Sequence, residues 1–389
     1  MTIDPKVQQE KEYLIQMRRY FHEHPEVSME EYETAKTIEQ ELDRFGIEHR
    51  RVGETGVYGL LRGKEAGHKV ILRADIDALR ITDVKTCSYA SKNPGVMHAC
   101  GHDAHTASLL GAAKLLASQR EQIKGEIGFV FQQGEEFGQG ARLFLKEGLI
   151  QDAKRVFGLH VASNVRIGDI AISSGAVNAS VDHVKINIYG KSAHVSTPQF
   201  GIDALYIASQ VVNTLQSIVS RLSNPLETVL VGLGKLTAGS AYNIVANEAE
   251  IEGTIRCFSK ETREKTKQWI IDLVTGIAST YNARAEVHFE DFTSPLINDA
   301  MVCDEVKEIA SKIVGDNHIV KREPSLGGDD FAEFLYKAKG MYAYIGTGNE
   351  KLPDTLAAQH ANNYDIDEQA LLIATNLYVD YARYVLELE

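Results

Sequence analysis

The sequence predicts an α/β protein in two parts: a mostly parallel sheet covered by helices on both faces, and a smaller α+β domain inserted into its middle. Three observations point there. Short apolar runs without alternation, at Lys69 to Ala74, Ile127 to Gln132, Arg155 to Leu159 and Met341 to Ile345, read as strands buried on both sides. Between about residues 180 and 292 the pattern changes to alternating strands in the order β-α-β-β-α-β, a split-βαβ sandwich of the ferredoxin-like kind. A chain of 389 residues also exceeds one compact core of usual size.

Ser28 and Glu31 have the spacing of a capping box and open a helix that runs through Ala35, Ile38 and Leu42 and stops at Gly46. The four apolar strands follow, separated by helical segments. In such a sheet ligands gather beyond the carboxyl ends of the strands, so the residues ending each run are informative. They are Asp75 and Asp77, then Glu135 and Glu136, then His160. In the inserted part Val184, Ile186 and Ile188 alternate, a helix spans Ile202 to Arg221, and strands lie near Thr228 to Leu233 and Ala249 to Cys257. A second helix carries Trp269, Ile270, Leu273 and Ile277, and Ala285 to Phe289 alternates again.

The formal charge of −13 argues against nucleic acid or an anionic membrane as partner, since both demand a basic face. The N-terminus has no apolar signal-like core, and no run is long enough to span a bilayer, so a cytoplasmic protein is expected. Cys87, Cys100, Cys257 and Cys303 are scattered without a CxxC pair, which predicts reduced thiols.

The chemistry concentrates in Met97-His98-Ala99-Cys100-Gly101-His102-Asp103-Ala104-His105: a thiol, three imidazoles and a carboxylate within nine residues. Thiolate and imidazole are the borderline-soft ligands of zinc and its neighbours, and glycine tolerates the turn that lets Cys100 and His102 converge. The helical pattern Leu109, Leu110, Ala113, Leu116 begins directly afterwards, placing the cluster at a helix entrance. Alone, a Cys-x-His pair reads equally as a buried thiol beside a satisfied histidine. Gln132-Gln133-Gly134-Glu135-Glu136 is the second constellation, in which one carboxylate can bind metal while its neighbour faces the substrate water. An isolated Glu-Glu is more often a solvated turn, but this one follows a buried strand. His160, His194 in Ser192-Ala193-His194, and His360 in Gln359-His360-Ala361 each read singly as a core, turn or exposed residue.

Taken together, Arg73 to Leu79 (RADIDAL), Tyr89 to Asp103, Gly134 to Glu136, Gly158 to His160 and the late His360 resemble the amidohydrolase branch of the dinuclear-metal aminoacylase and carboxypeptidase family. Hippurate hydrolases, N-acyl-amino-acid amidohydrolases and plant auxin-conjugate hydrolases belong to that branch. The resemblance runs from Arg18-Arg19-Tyr20-Phe21-His22 and Pro25-Glu26 to the final helix. It implies a zinc-peptidase-like three-layer α/β/α catalytic domain, residues 1–180 and 293–389, with an inserted ferredoxin-like dimerisation domain, residues 181–292. It also implies two divalent metal ions per subunit, of zinc, manganese, nickel or cobalt, with Cys100, His102, Glu136, His160 and His360 as ligands and Glu135 as general base. Asp75 would orient a ligand, His194 would reach the oxyanion in the partner subunit of a homodimer, and Asn243 and Gly327 would hold the substrate. Arg80, Gln133-Gly134, Asn362, Ala246-Asn247 and the Val195-Ser196 step depart from the usual residues and bear on substrate preference.

The expected activity is metal-dependent hydrolysis of an N-acyl amino acid or a similar small amide. A dipeptidase or aminopeptidase is the rival within enzymes, and a dimeric metal-binding protein without turnover the rival outside them. Keeping Glu135 beside Glu136 speaks against the last, because a pure binder has no use for a base.

Overall fold

The computed structural model describes residues 1–387. The chain divides into two compact units, one of Met1–Gly175, Ile297–Glu323 and Asp329–Glu389, the other of Ala176–Leu296 and Pro324–Gly328.

The first unit is built on an eight-stranded sheet. Across it the order is Glu48–Val52, Gly56–Arg62, Lys124–Gln132, Glu65–Asp75, Arg155–Arg166, Gly340–Gly348, Ile170–Ala171 and Ile319–Val320. The four central strands run parallel, and antiparallel pairings occur toward the edges. Alternate residues of each central strand face opposite layers, as period-two geometry requires. Val70, Leu72, Phe129, Phe157, Leu159, Met341 and Ala343 join one large core with the helices Lys11–Glu23, Tyr32–Arg44, His102–Ala117, Ala300–Val314 and Gln369–Val385. On the other face, Tyr342 stacks on Phe331, and Phe334 packs edge-on against Phe144 of the short helix Gly140–Lys146. Burial on both faces is why these strands lack alternation in sequence.

Two details differ from the sequence reading. The helix Tyr32–Arg44 does form, but Ser28 and Glu31 do not cap it; its first amides, Glu33 N–H and Thr34 N–H, donate to the carboxylate of Glu26 at 3.2 and 2.8 Å. Likewise His160 does not end its strand, which continues to Arg166. Pairing with the Glu65–Asp75 strand stops at Arg73↔Gly158, however, while pairing with Gly340–Gly348 runs on. His160 therefore lies where one neighbour has peeled away, which is the local equivalent of a strand end.

The second unit has the order β-α-β-β-α-β: strands Val181–Tyr189, Val229–Ala238, Glu248–Cys257 and Arg284–Thr293, with helices Ala204–Leu215 and Lys260–Thr280. The sheet is antiparallel, with Arg284–Thr293 and Val229–Ala238 at its edges. Val184, Ile186, Ile188, Ile251 and Ile255 form its dry face against Ile207, Val211, Ile270 and Val274. The first helix is shorter than expected: after Leu215 it gives way to one wide turn, Ile218–Leu222. Gly327, assigned by sequence to the catalytic part, belongs to this unit, because its carbonyl and that of Ser325 both accept the Ala179 amide at 3.1 and 3.0 Å.

Candidate metal centre

Cys100, Gly101 and His102 enter the helix His102–Ala117 from a buried segment, and Gly101 is the pivot. Its φ is +92°, a region L side chains rarely adopt, and a Cβ there would meet Val161 Cγ2 at 2.3 Å. With no side chain between them, Cys100 and His102 face one space. Ligand atoms of Cys100, His102 and His160 lie within 4.8 Å of one another, as do those of Cys100, Glu136 and His360. The Cys100 sulfur is thus common to two three-donor groups. His102, Glu135 and Glu136 form a further group, and Glu135 also lies with Asp329 and Asp330.

Each donor is held from behind. Nδ1 of His102 contacts the Asp77 carboxylate at 3.0 Å and the Asp77 carbonyl at 2.9 Å. Its Nε2 is buried without a hydrogen-bond partner among the described residues. A buried nitrogen left bare on one side and anchored by a carboxylate on the other is what a metal-ligating histidine requires. Nδ1 of His160 lies 2.6 Å from the Val161 carbonyl, leaving Nε2 toward the Cys100 sulfur at 3.5 Å. His360 comes from the loop before the last helix, in a left-handed conformation with φ +67°, and its N–H donates to the Ala99 carbonyl at 2.8 Å. That bond ties the loop to the residue before Cys100. Glu135 and Glu136 sit in a tight turn, Glu135–Phe137, rather than on the strand itself, and His360 Nε2 lies 3.2 Å from Glu136 Oε1. A thiol, three imidazoles and carboxylates in two groups with a common sulfur fit a pair of borderline divalent ions.

The electrostatics describe a site that retains protons where cations belong. Burial, reinforced by Glu136, pushes the Cys100 thiol up. The hydrogen bonds of His360 to Cys100 and Glu136 raise it to about 10. Burial works against charge on His102, but Asp75, Cys100 and Asp77 outweigh it and hold it well above the ordinary histidine range. Burial, with His105 alongside, holds His160 well below that range. The Glu135 carboxyl is held well above the usual carboxylate range by burial and then by Asp329, Glu136 and Asp330.

Not every residue of the nine-residue cluster turns toward this space. The Val161 N–H donates to His105 Nε2 at 2.9 Å, so His105 Nδ1 carries the proton and donates to Asp75 at 2.5 Å. His105 therefore has no lone pair to offer. Asp103 points away to Arg18 and His22, at 2.9 and 2.7 Å. Asp75 bonds His105 and Arg73 and approaches His102 Nδ1 only at 3.8 Å; the carboxylate that directly holds His102 is Asp77. The sequence reading marked Asp77 as a strand-end residue without a task, and the Asp-Ile-Asp spacing was the available signal. Arg73 and Gln132, which stand in sequence motifs without a role of their own there, back the Glu135 side together with Asp329 and Asp330, which sequence reasoning missed. In the second unit the His194 and Asn243 segments are neighbours: His194 bridges Ile244, Val195 N–H donates to the Asn243 carbonyl at 3.1 Å, and the exposed His194 ring contacts Ser196 Oγ at 2.7 Å. Gly327, also exposed, donates to Ser325 Oγ at 3.0 Å.

Residues 71–384 match the profile of Peptidase family M20/M25/M40. Among similar proteins, an N-acetylcysteine deacetylase of Bacillus subtilis is 38% identical over 96% of this chain and 97% of its own. Thermostable carboxypeptidase 2 of Saccharolobus solfataricus is 38% identical over 94% of this chain and 93% of its own. An IAA-amino acid hydrolase of Arabidopsis thaliana is 35% identical over 97% and 87%. Among solved structures, a dinuclear metal-binding peptidase of Bacillus subtilis superposes with a TM-score of 0.85 at 34% identity, covering 98% of this chain and 100% of that one. With the same layered fold, and a donor cluster suited to a metal pair, the chain belongs to peptidase family M20/M25/M40 and is a metal-dependent amide hydrolase.

Proposed function

We propose that the protein hydrolyses the amide bond of N-acyl amino acids or similar small amides. The observation that carries this is the position of Glu135: a buried carboxylate of raised pKa beside two three-donor groups with one sulfur in common. Cys100, His102, Glu136, His160 and His360 hold two divalent ions, which supply positive charge that polarises a carbonyl and acidifies water. Glu135 takes the proton of the attacking water and returns it to the leaving nitrogen. A carboxylate buried directly beside the donor groups is placed for both halves of that task. Asp77 fixes the His102 ring, and Asp75, bonded to His105, approaches the same ring only at 3.8 Å.

The carboxypeptidase name of the Saccharolobus relative favours a second reading, cleavage of peptide bonds. Product analysis on N-acetyl amino acids against dipeptides, after reconstitution with zinc, manganese, nickel or cobalt, separates the two. Turnover confined to dipeptides would refute the N-acyl assignment. Glu136→Ala is expected to lose metal, while Glu135→Ala keeps it and loses about a hundredfold to ten-thousandfold in rate.

The same reading includes a homodimer formed through the second unit. Leu205, Tyr206, Val219 and Leu222 are exposed there, and Val229–Ala238 is an edge strand. His194 then reaches the partner's metal centre and hydrogen-bonds the developing oxyanion, while Asn243 and Gly327 contact substrate. Refolding His194→Ala together with Glu135→Ala protein tests this: heterodimers regain one working site. No recovery in verified heterodimers refutes the shared site. No helix among the described residues is long and apolar enough to cross a membrane, and the location we propose is the cytoplasm.

A further inference from the structure

Ser28 and Glu31, which do not cap the helix that follows them, are spent elsewhere. The Glu31 carboxylate is fully buried. Its Oε1 accepts the backbone N–H groups of Met29 and of Gly134, both at 2.8 Å, and its Oε2 accepts the Thr55 hydroxyl at 2.6 Å. Met29 is left-handed, φ +68°, an uncommon conformation for a residue with a Cβ, and Gly134 is left-handed at φ +58°. The two turns abut: a Cβ on Gly134 would lie 2.5 Å from the Met29 sulfur. One carboxylate oxygen joins them.

Two residues further on, the Glu136 N–H donates to Asp77 Oδ2 at 3.0 Å, and the same oxygen accepts the Ser28 hydroxyl at 2.6 Å. The amides on either side of Glu135 are therefore both held by carboxylates, and both carboxylates are anchored in the segment Ser28 to Glu31. Among the described residues, Glu31 belongs to none of the metal-donor groups. Burial and the nearby Asp77 raise its carboxyl to about 7, so the fold retains a group that is costly to ionise where it stands. An apolar side chain would fill the space without that cost, but it would leave the Gly134 and Met29 amides without this acceptor.

We infer that Glu31 is a positioning residue for the general base: it fixes the Gly134 turn that aims the Glu135 carboxylate and touches neither substrate nor metal. The inference rests on Glu135 being that base. A misplacement of about 1 Å in a reacting group costs on the order of a hundredfold in rate, so the effect falls on kcat.

The test measures kcat, KM and metal content for Glu31→Ala, Glu31→Asp and Glu31→Gln, on the N-acetyl amino acid that the wild type hydrolyses fastest. Aspartate, one methylene shorter, cannot reach both amides, whereas the glutamine Oε1 still can. Expected are losses of about tenfold to a hundredfold in kcat for the alanine and aspartate variants, with KM and metal content unchanged, and recovery of most of kcat in the glutamine variant. Wild-type kcat in the aspartate and alanine variants would overturn the inference. So would a glutamine variant as slow as alanine, or metal lost together with rate. If the alanine variant does not fold, the aspartate and glutamine pair decides. Glu135→Ala in the same assay separates the two levels: undiminished turnover there sinks the base assignment and this inference with it, whereas an inactive Glu135→Ala beside unaffected Glu31 variants sinks only the positioning role.

Discussion

Arg18→Met probes the charge network behind the metal centre. The Arg18 side chain is buried, and its guanidinium contacts Asp103 at 2.9 Å, Asp365 at 2.6 Å and Glu368 at 3.4 Å. The three acids are not equally dependent on it. Glu368 keeps both oxygens on Arg19, and Asp365 keeps the Tyr89 hydroxyl and the Ile366 N–H. Asp103 retains only His22 Nδ1, and its other oxygen is buried without a partner. Methionine keeps an unbranched apolar stem and deletes the guanidinium, together with the contact its carbon makes over the Tyr89 ring at 4.9 Å. The change leaves a buried carboxylate uncompensated, which costs about 3 to 5 kcal/mol.

The pH dependence gives the sharper test. In the wild type, burial opposes ionisation of Asp103, but Arg18 and His22 outweigh it and hold the carboxyl well below the usual range. Such a group contributes stability above its unfolded pKa and loses it as pH falls. Without Arg18, burial prevails and the folded pKa rises, so the variant loses stability as pH rises. The deficit is therefore larger at pH 8 than at pH 5. Hydrogen exchange of metal-free protein, read on peptides from Lys11–Glu23 and His102–Ala117, measures it in the first unit. Trp269, the single tryptophan, reports the second unit separately. A deficit under about 1 kcal/mol at pH 8, or one equal at both pH values, would refute the reasoning.

Asp77→Ala removes the bond that fixes His102 and is expected to weaken metal binding by about tenfold to a hundredfold, measured by competition with a chromophoric chelator; unchanged affinity would reassign the anchor. Gly101→Ala forces a Cβ into a left-handed residue, at about 1 to 2 kcal/mol, and against Val161, at about 1 to 3 kcal/mol, so denaturant unfolding should show a combined loss of about 2 to 5 kcal/mol. Metal loading near pH 7.5 must displace the protons of the Cys100 thiol, of His102, held well above the ordinary histidine range, and of His360, raised to about 10, so calorimetry in buffers of different ionisation enthalpy is expected to show about three protons released per subunit. Release of less than about one would contradict the ligand set.

The donors were legible in sequence because thiolate, imidazole and paired carboxylates are scarce side chains whose chemistry narrows their use, and because the strands leading to them are apolar on both faces. What each donor leans on was not legible. Ser28 and Glu31 have capping-box spacing, yet local spacing states only that a bond within one turn is possible. The competing partners, Asp77 and Gly134, lie 49 and 103 residues away and enter only once the sheet is assembled. The same holds for Asp330, which meets Gln132 across 198 residues.

Asp75 and Asp77 show where sequence reasoning stops. They differ by two positions, so strand periodicity gives both the same side, and only Asp75 was expected from the resemblance to orient a ligand. The backbone decides between them. Asp75 is the last residue paired in its strand, opposite Gln132, and is kept beside Arg73 and His105. Asp77 lies beyond the ladder, where the chain turns so that its carbonyl and its carboxylate both face the His102 ring. If that division of labour is correct, Asp75→Asn should disturb the His105 and Arg73 side and leave metal affinity closer to wild type than Asp77→Ala does. Equal losses in the two variants would mean that the 3.8 Å approach of Asp75 matters as much as the direct bond.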